Sequence, residues 1–269
     1  MCSSDLVSVP LPELEAMGPV VRLASGVDEF ERQILAALSE ADPRVADARR
    51  AFASANTWQH RFDTLAPAIA GTFPKVSIVV VTYQNLALNR LCLESLYEHT
   101  AYPNVEVIVV DNASTDGTPA YLDAARSRYP NLQVVLNETN RGFAAANNAG
   151  ISLATGEFLV LLNNDTVVTG GWLSALLRHL QADARLGLVG PVTNAIGNQA
   201  QIEVGYHAIE ELPAWAESYT SARAGQSFPI PMLAMFCVAM RREVYDQIGP
   251  LDERFGLGMF RSEEHTSEL

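Results

Sequence analysis

Basic residues are scarce in this chain, with 18 Lys and Arg against 31 Asp and Glu and a formal charge of −13. A binder of phosphate backbones displaces counterions with clustered Lys and Arg, so nucleic acid is excluded as a partner. Cysteine is sparse too. Of the three present, Cys2 stands in the opening segment and Cys92 and Cys237 in apolar runs. Their spacing suits neither a zinc site nor a disulfide framework, and the latter two read as small buried hydrophobes. Long apolar runs are missing as well. Residues 232–240 reach roughly half the ~20 residues of a membrane span, and the start lacks the charged and apolar regions of a secretory signal. A cytoplasmic protein without a membrane span is therefore expected. Glycine is absent where a nicotinamide-binding domain needs it, since no Gly-x-Gly-x-x-Gly opens the first helix after the first expected strand.

What is there is ample for a core: 269 residues, 48% of them hydrophobic, enough for one large domain or two small ones. The two ends stand apart. Residues 1–6 and 261–269 resemble translated sequencing-adapter sequence and are set aside from fold reasoning, so the protein proper is expected at residues 7–260, as a piece open at both ends. Residues 7–73 read as a helical segment. Phe30, Ile34, Leu35 and Leu38 recur at three and four, and residues 49–65 are Ala-rich with Trp58 and Phe62 four apart, which predicts two amphipathic helices. Gly71-Thr72-Phe73-Pro74-Lys75 then punctuates the chain.

Beyond that point the pattern alternates. Residues 76–82 form a β-branched run, the mark of a strand buried on both faces. A helix is expected over 88–99, with Leu88, Leu91, Cys92, Ser95 and Leu96 on one side. Further strands are expected at 105–110, 132–136 and 157–162, and helices at 143–154 and from Thr118 to Tyr129, with Thr118 as N-cap and Pro119 at N1. Four strand and helix alternations predict an α/β domain with a mostly parallel sheet covered on both faces. Residues 172–180 read as the next helix, 187–191 as a strand, 196–231 as a long mobile connection, 232–240 as an apolar strand and 241–248 as a short helix.

Three strand ends carry polar clusters: Thr82-Tyr83-Gln84-Asn85, then Asp111 through Gly117, then Asn163-Asn164-Asp165. In an open α/β sheet ligands sit outside the carboxyl ends of the strands, so Asn163, Asn164 and Asp165 are all expected to reach toward one crevice. The residue types suit a nucleotide. A carboxylate such as Asp111 accepts the imide N–H of a pyrimidine, Tyr83 offers a face for the ring, and Asp165 can hold the cation that a diphosphate needs. Asn140-Arg141-Gly142-Phe143 opens a helix and adds a positive charge and free N–H groups.

Four segments in this order, Val-Ser-Ile-Val-Val-Val-Thr-Tyr (76–83), Val-Asp-Asn-Ala-Ser-Thr-Asp-Gly-Thr (110–118), Asn-Arg-Gly-Phe-Ala-Ala-Ala-Asn-Asn-Ala-Gly (140–150) and Leu-Leu-Asn-Asn-Asp (161–165), resemble a family 2 glycosyltransferase with the GT-A fold. The resemblance covers residues 74–260. It implies that Thr82, Tyr83 and Asp111 hold base and ribose with Asp116 nearby, and that Asp165 ends the Asp-x-Asp motif and binds a divalent metal, Mn or Mg. The nucleotide-sugar set it implies is Thr82, Tyr83, Asn85, Asp111, Asn112, Ser114, Asp116, Arg141, Gly142, Asn147, Asn163, Asn164 and Asp165. One departure is that Asn163 holds the first motif position, which leaves a single carboxylate from this motif for the metal.

The implied reaction is inverting transfer of a sugar from a UDP- or dTDP-linked donor to a glycan or lipid-linked acceptor, in bacterial cell-surface polysaccharide synthesis, in the cytoplasm or peripherally at the inner face of the membrane. The alternative is a non-catalytic sugar-nucleotide-binding module. The resemblance puts the acidic pair that supplies the general base just after Phe260, where the adapter-like tail begins, so the piece is expected to lack its base and to be nearly inactive. Glu263 and Glu264 read as solvated tail charges, and Asp252 and Glu253 as structural residues ahead of the motif. A sugar-1-phosphate nucleotidyltransferase is disfavoured because residues 82–88 contain no Gly. Residues 21–69 resemble, more weakly, the closing helices of a GT-B glycosyltransferase, which implies a second transferase fused upstream.

Overall fold

A computed structural model describes residues 7–15, 17–40 and 42–256. The two adapter-like ends and the expected position of the general base lie outside the described residues. The chain divides into two compact units, Met1–Ile69 and Ala70–Leu269. Among the described residues no helix is long and apolar enough to cross a membrane.

In the first unit a short parallel pair, β1 (Val7–Ser8) and β2 (Arg22–Leu23), flanks α1 (Pro12–Glu15), and three longer helices follow: α2 (Val27–Leu38), α3 (Pro43–Ala55) and α4 (Trp58–Ala70). Three helices replace the two expected between Phe30 and Ile69, because the one expected over 49–65 is split between α3 and α4 at Asn56-Thr57. Pro43 has no N–H to lose at a helix start, and Asp42 caps α3 by accepting the Arg44 N–H at 2.9 Å. Glu40 accepts from both Arg22 (2.8 Å) and Arg49 (3.0 Å).

The second unit runs β3 (Val76–Thr82), α5 (Leu86–His99), β4 (Val105–Asp111), α6 (Thr118–Arg128), β5 (Leu132–Leu136), α7 (Phe143–Leu153), β6 (Phe158–Asn163), α8 (Trp172–Ala182), β7 (Leu188–Val189), α9 (Leu212–Ser221), β8 (Cys237–Arg241) and α10 (Arg242–Ile248). Its sheet has the order β5-β4-β3-β6-β8-β7. Strands β3 to β6 are parallel, and β8 enters antiparallel between β6 and β7. Successive side chains of a strand face opposite ways. Ile78 and Val80 therefore pack with Leu93, Leu96 and Leu177 on one face, while Val79 packs with Ala146, Ile151 and Met240 on the other. Full burial of each such side chain stabilises by about 1.5–3 kcal/mol, which is why the run 76–82 has no polar alternation.

Four local expectations change. The buried side of α5 carries Asn89, Cys92, Leu93, Ser95 and Leu96, while Leu91 is 40% exposed. Thr118 is the first helical residue of α6, with Gly117 at the N-cap, and it is fully buried, its N–H accepted by the Asp116 side chain at 2.9 Å. The stretch 196–231 holds a helix, α9, preceded by a 3-10 turn at Ile209–Glu211. There Trp215 stacks on Tyr219 with centroids 5.0 Å apart and meets Tyr206 edge-on at 5.5 Å. Lastly, the strand expected over 232–240 begins only at Cys237.

Candidate active site

The parallel order β4-β3-β6 sets three polar strand ends side by side. Thr82 stands opposite Asp111 and Val81 opposite Asn163. Asp111 is only 1% exposed, yet its carboxylate is well supplied with donors. Thr82 Oγ1 donates to Oδ1 at 2.9 Å, Ser114 Oγ to the same oxygen at 2.6 Å, and the Ser114 N–H to Oδ2 at 2.9 Å. Such charge-assisted bonds offset the cost of taking a carboxylate out of water. They leave Oδ2 with a free acceptor position.

Ser114 Oγ also accepts the Gln84 N–H at 2.7 Å, which ties the loop after β4 to the loop after β3. Three non-glycine residues at these two strand ends adopt left-handed backbone: Gln84 (φ 54°), Asn85 (φ 62°) and Ala113 (φ 66°). Asn tolerates that region, whereas for Gln and Ala it costs on the order of 1–3 kcal/mol and persists only where surrounding bonds enforce it. This loop conformation leaves Tyr83 half exposed and the Asn85 side chain at the surface. Asp116 is exposed too, but its oxygens cap two helices, accepting from Leu86 N–H and Thr118 N–H at 2.9 Å each. Bonding from Thr118, outweighing partial burial, holds its carboxyl below the usual range.

Asn112 builds the third loop. Buried to 3% exposure, it accepts from Asn137 Nδ2 and from the Arg141 N–H, both at 3.0 Å, and donates to Asn140 Oδ1 and to the Gly142 carbonyl. Gly142 turns into α7 at φ +83°, a conformation that favours glycine. The Arg141 side chain is exposed beside that helix start. Asn147 faces inward: it is 2% exposed and donates to the Phe143 carbonyl at 2.9 Å. Its neighbour Asn148 grips the Leu251 backbone at both N–H (2.9 Å) and carbonyl (2.8 Å) and donates to Glu253 at 2.9 Å. Asp252 is bound by Arg254, whose hydrogen bonds lower its carboxyl to about 2, so it is a feeble proton acceptor.

The three residues closing β6 diverge where all were expected to reach the crevice. Asn164 is buried, and its Nδ2 donates to Asn89 Oδ1 at 2.6 Å, inside the protein. Asp165 is exposed, and no hydrogen bond or ion pair among the described residues engages its carboxylate. Asn163 is half-buried, its backbone held by Phe236 and by the Cys92 thiol, which donates to the Asn163 carbonyl at 3.4 Å. Burial, with the Asp165 charge adding, pushes Cys92 up to about 12.

Among the described residues no three His, Cys, Asp or Glu gather as a ligand cage. The open Asp165 carboxylate and the amide oxygen of Asn163 are nevertheless hard oxygen donors at one strand end. That partial set fits a small divalent cation, which keeps several waters and takes one or two carboxylates plus substrate phosphates. Sequence reasoning did not single out Asn89. The available signal was an Asn at the head of the apolar 89, 93, 96 spacing of α5.

The family model for glycosyl transferase family 2 matches residues 77–249. The O-antigen biosynthesis protein RfbC of Myxococcus xanthus is 34% identical over 197 residues, 70% of this chain and 15% of that protein. The N-acetylglucosaminyl-diphospho-decaprenol L-rhamnosyltransferase of Mycobacterium tuberculosis is 29% identical over 207 residues, covering 68% of this chain and 66% of its own length. Among solved structures, the mannosyltransferase PcManGT from Pyrobaculum calidifontis, in complex with GDP-Man and Mn2+, superposes with a TM-score of 0.52 at 27% identity, over 67% of this chain and 48% of that one. The chain thus spans less than two thirds of each of these proteins. With four matching segments, three convergent strand ends and a family match across most of the second unit, the chain belongs to glycosyl transferase family 2 and carries the GT-A fold.

Proposed function

We propose that the second unit binds a nucleoside-diphosphate sugar at the carboxyl ends of β3, β4 and β6, and that the enzyme of which it is part transfers the sugar, with inversion, to a glycan or lipid-linked hydroxyl, the general base expected after Phe260 being absent from this piece. The observation that carries this reading is a buried, hydrogen-bonded carboxylate (Asp111) and an open one (Asp165) at the parallel strand ends on either side of β3. Asp111 Oδ2 has acceptor capacity left for the imide N–H of a pyrimidine, and the half-exposed Tyr83 directly follows Thr82, the residue opposite Asp111 on the adjoining strand. These favour a UDP- or dTDP-linked donor. Thr82, Ser114 and Asp116 hold the two base-side loops in shape, and Asn112 sets the Arg141-Gly142 turn, where a guanidinium and helix N–H groups suit a diphosphate.

Asp165, with the Asn163 amide oxygen, would hold the divalent cation, Mn or Mg. Bound there, the cation would supply Lewis-acid stabilisation of the departing diphosphate. Asn147 and Asn164, both turned inward, support the loops from below. Asn148 fixes the segment 251–253, ahead of Phe260, after which the parent protein's proton acceptor is expected. The relatives' names point to cell-surface polysaccharide as the product class, which suits a cytoplasmic or membrane-peripheral enzyme.

Calorimetric titration with UDP, dTDP and GDP, with and without Mn2+, tests the donor site, alongside Asp165→Ala. Mn2+-enhanced binding of a uridine or thymidine diphosphate that Asp165→Ala removes is expected. Absence of binding to all three nucleotides overturns the reading, and preference for GDP overturns the pyrimidine assignment alone.

A further inference from the structure

One buried side chain on α5 joins three of the segments that the donor would span. Asn89 is 2% exposed. Its Nδ2 donates to the Gln84 carbonyl at 2.7 Å and to Thr118 Oγ1 at 2.9 Å, and its Oδ1 accepts from Asn164 Nδ2 at 2.6 Å. Both of its amide protons are thereby used. Each partner belongs to a different part of the candidate site: Gln84 to the loop after β3, Thr118 to the start of α6 behind Asp116, and Asn164 to the turn that presents Asp165.

The Gln84 end needs such an anchor. Gln84 and Asn85 both sit in left-handed backbone, and the loop is gripped at the Gln84 N–H by Ser114 and at the Gln84 carbonyl by Asn89. At the other end, Asn164 is adjacent to Asp165, so a bond that fixes the Asn164 side chain fixes the direction in which the Asp165 carboxylate leaves the strand. A nucleoside diphosphate is a ligand of set length, with its base at one end and its metal-bound phosphates at the other. Binding both ends at once is favourable only if the protein already holds the two subsites at the matching separation.

We infer that Asn89 is a positioning residue that sets the spacing between the base-side loop and the metal-bearing turn, and thereby couples nucleotide binding to divalent-metal binding. The inference rests on the donor-site reading above. Asn89 contacts no ligand in this account and acts through Gln84 and Asn164. A residue that served only to pack α5 against α6 would lower stability when replaced and leave the metal's effect on nucleotide affinity unchanged.

The measurement is the ratio of nucleotide affinity with Mn2+ to that without it, taken by calorimetry on the full chain with whichever of UDP, dTDP or GDP binds tightest. It is made for the unsubstituted chain, Asn89→Leu and Asn164→Ala, with a thermal melt to establish that each is folded. Asn89→Leu keeps the side-chain size and removes every polar bond. Asn164→Ala cuts only the arm toward Asp165, and decides the matter alone if Asn89→Leu does not fold. Both variants are expected to lower the Mn2+ enhancement by about tenfold, the scale of one well-placed hydrogen bond. Asn89→Leu should also weaken metal-free binding, since it frees the Gln84 loop as well. An enhancement unchanged in the folded variants overturns the role of Asn89 while leaving the donor site standing. If no nucleotide binds the unsubstituted chain, the donor-site reading falls and this inference with it.

Discussion

Thr82 and Asp111 face each other across two parallel strands, and the Thr82 hydroxyl donates to the buried Asp111 carboxylate at 2.9 Å. The bond closes the gap between the first two strand ends of the site. Thr82→Val keeps the β-branched shape and removes the donor, leaving Asp111 with Ser114 as its remaining partner. A loss of about 1–3 kcal/mol is expected, the cost of leaving a buried acceptor short of a bond, with weaker nucleotide binding alongside. Urea denaturation reads the first effect; an unchanged midpoint would mean that Ser114 alone satisfies the carboxylate.

Gly150 lies where α7 meets the sheet. A Cβ built there would stand 2.4 Å from Val79 Cγ1 and 3.2 Å from Val110 Cγ2. Ala is favoured over Gly in a helix by about 1 kcal/mol, but pushing α7 off two core valines costs about 1–3 kcal/mol. The clash should win, because both valines are fully buried and have nowhere to move. Gly150→Ala is therefore expected to be less stable on chemical denaturation. Greater stability would show that α7 shifts freely on the sheet.

At the opposite end of the same strands, Glu106 accepts from Ser77 Oγ and from the Thr155 N–H at 2.6 Å each and pairs with Lys75 at 2.6 Å. Burial alone would raise its carboxyl, but Lys75, Ser77 and Thr155 together hold it below the ordinary 4.5. A carboxyl that titrates lower when folded adds stability above its unfolded value and loses it as pH falls through the folded one. The loss of stability below pH 4.5 should accordingly be shallower in Glu106→Gln, which has no proton to take up. Parallel slopes for the two proteins in acid would remove Glu106 from the acid response.

Cys92 and Cys237 are both buried, and desolvation pushes each thiol up to about 12, with the Asp165 charge adding at Cys92 and the Cys92 thiol adding at Cys237. The thiolate is the reactive form. In a Cys2→Ser chain at pH 8, neither thiol should react with a thiol reagent until the protein unfolds, so labelling should follow the unfolding transition. Rapid labelling in native buffer would reveal local opening between α5 and β8.

The sheet was legible because its signals are local. The β-branched run 76–82, the largely apolar runs at 105–110 and 157–162, and the polar residues that end each one need no partner to be read. A parallel arrangement of such strands then brings Thr82, Asp111 and Asn163 to one edge. The helix count before Ala70 was less legible, since the helix expected over 49–65 is broken between α3 and α4 by a single Asn56-Thr57 pair, and the α9 helix was hidden by weak periodicity.

The amino-acid order by itself thus determined the α/β alternation, the edge on which the polar loops converge and the family to which the chain belongs. Folding in three dimensions decided which of those polar residues face outward. Asn164 and Asp165 are neighbours with similar side chains, yet one is tied to Asn89, 75 residues away, and the other is open. Asp116, in a loop suited to ligand contact, bonds instead to Leu86, 30 residues back, and to Thr118. The physical reason is that a buried amide or carboxylate must find its hydrogen-bond partners wherever the packing brings them, and no local pattern records partners so distant in the chain.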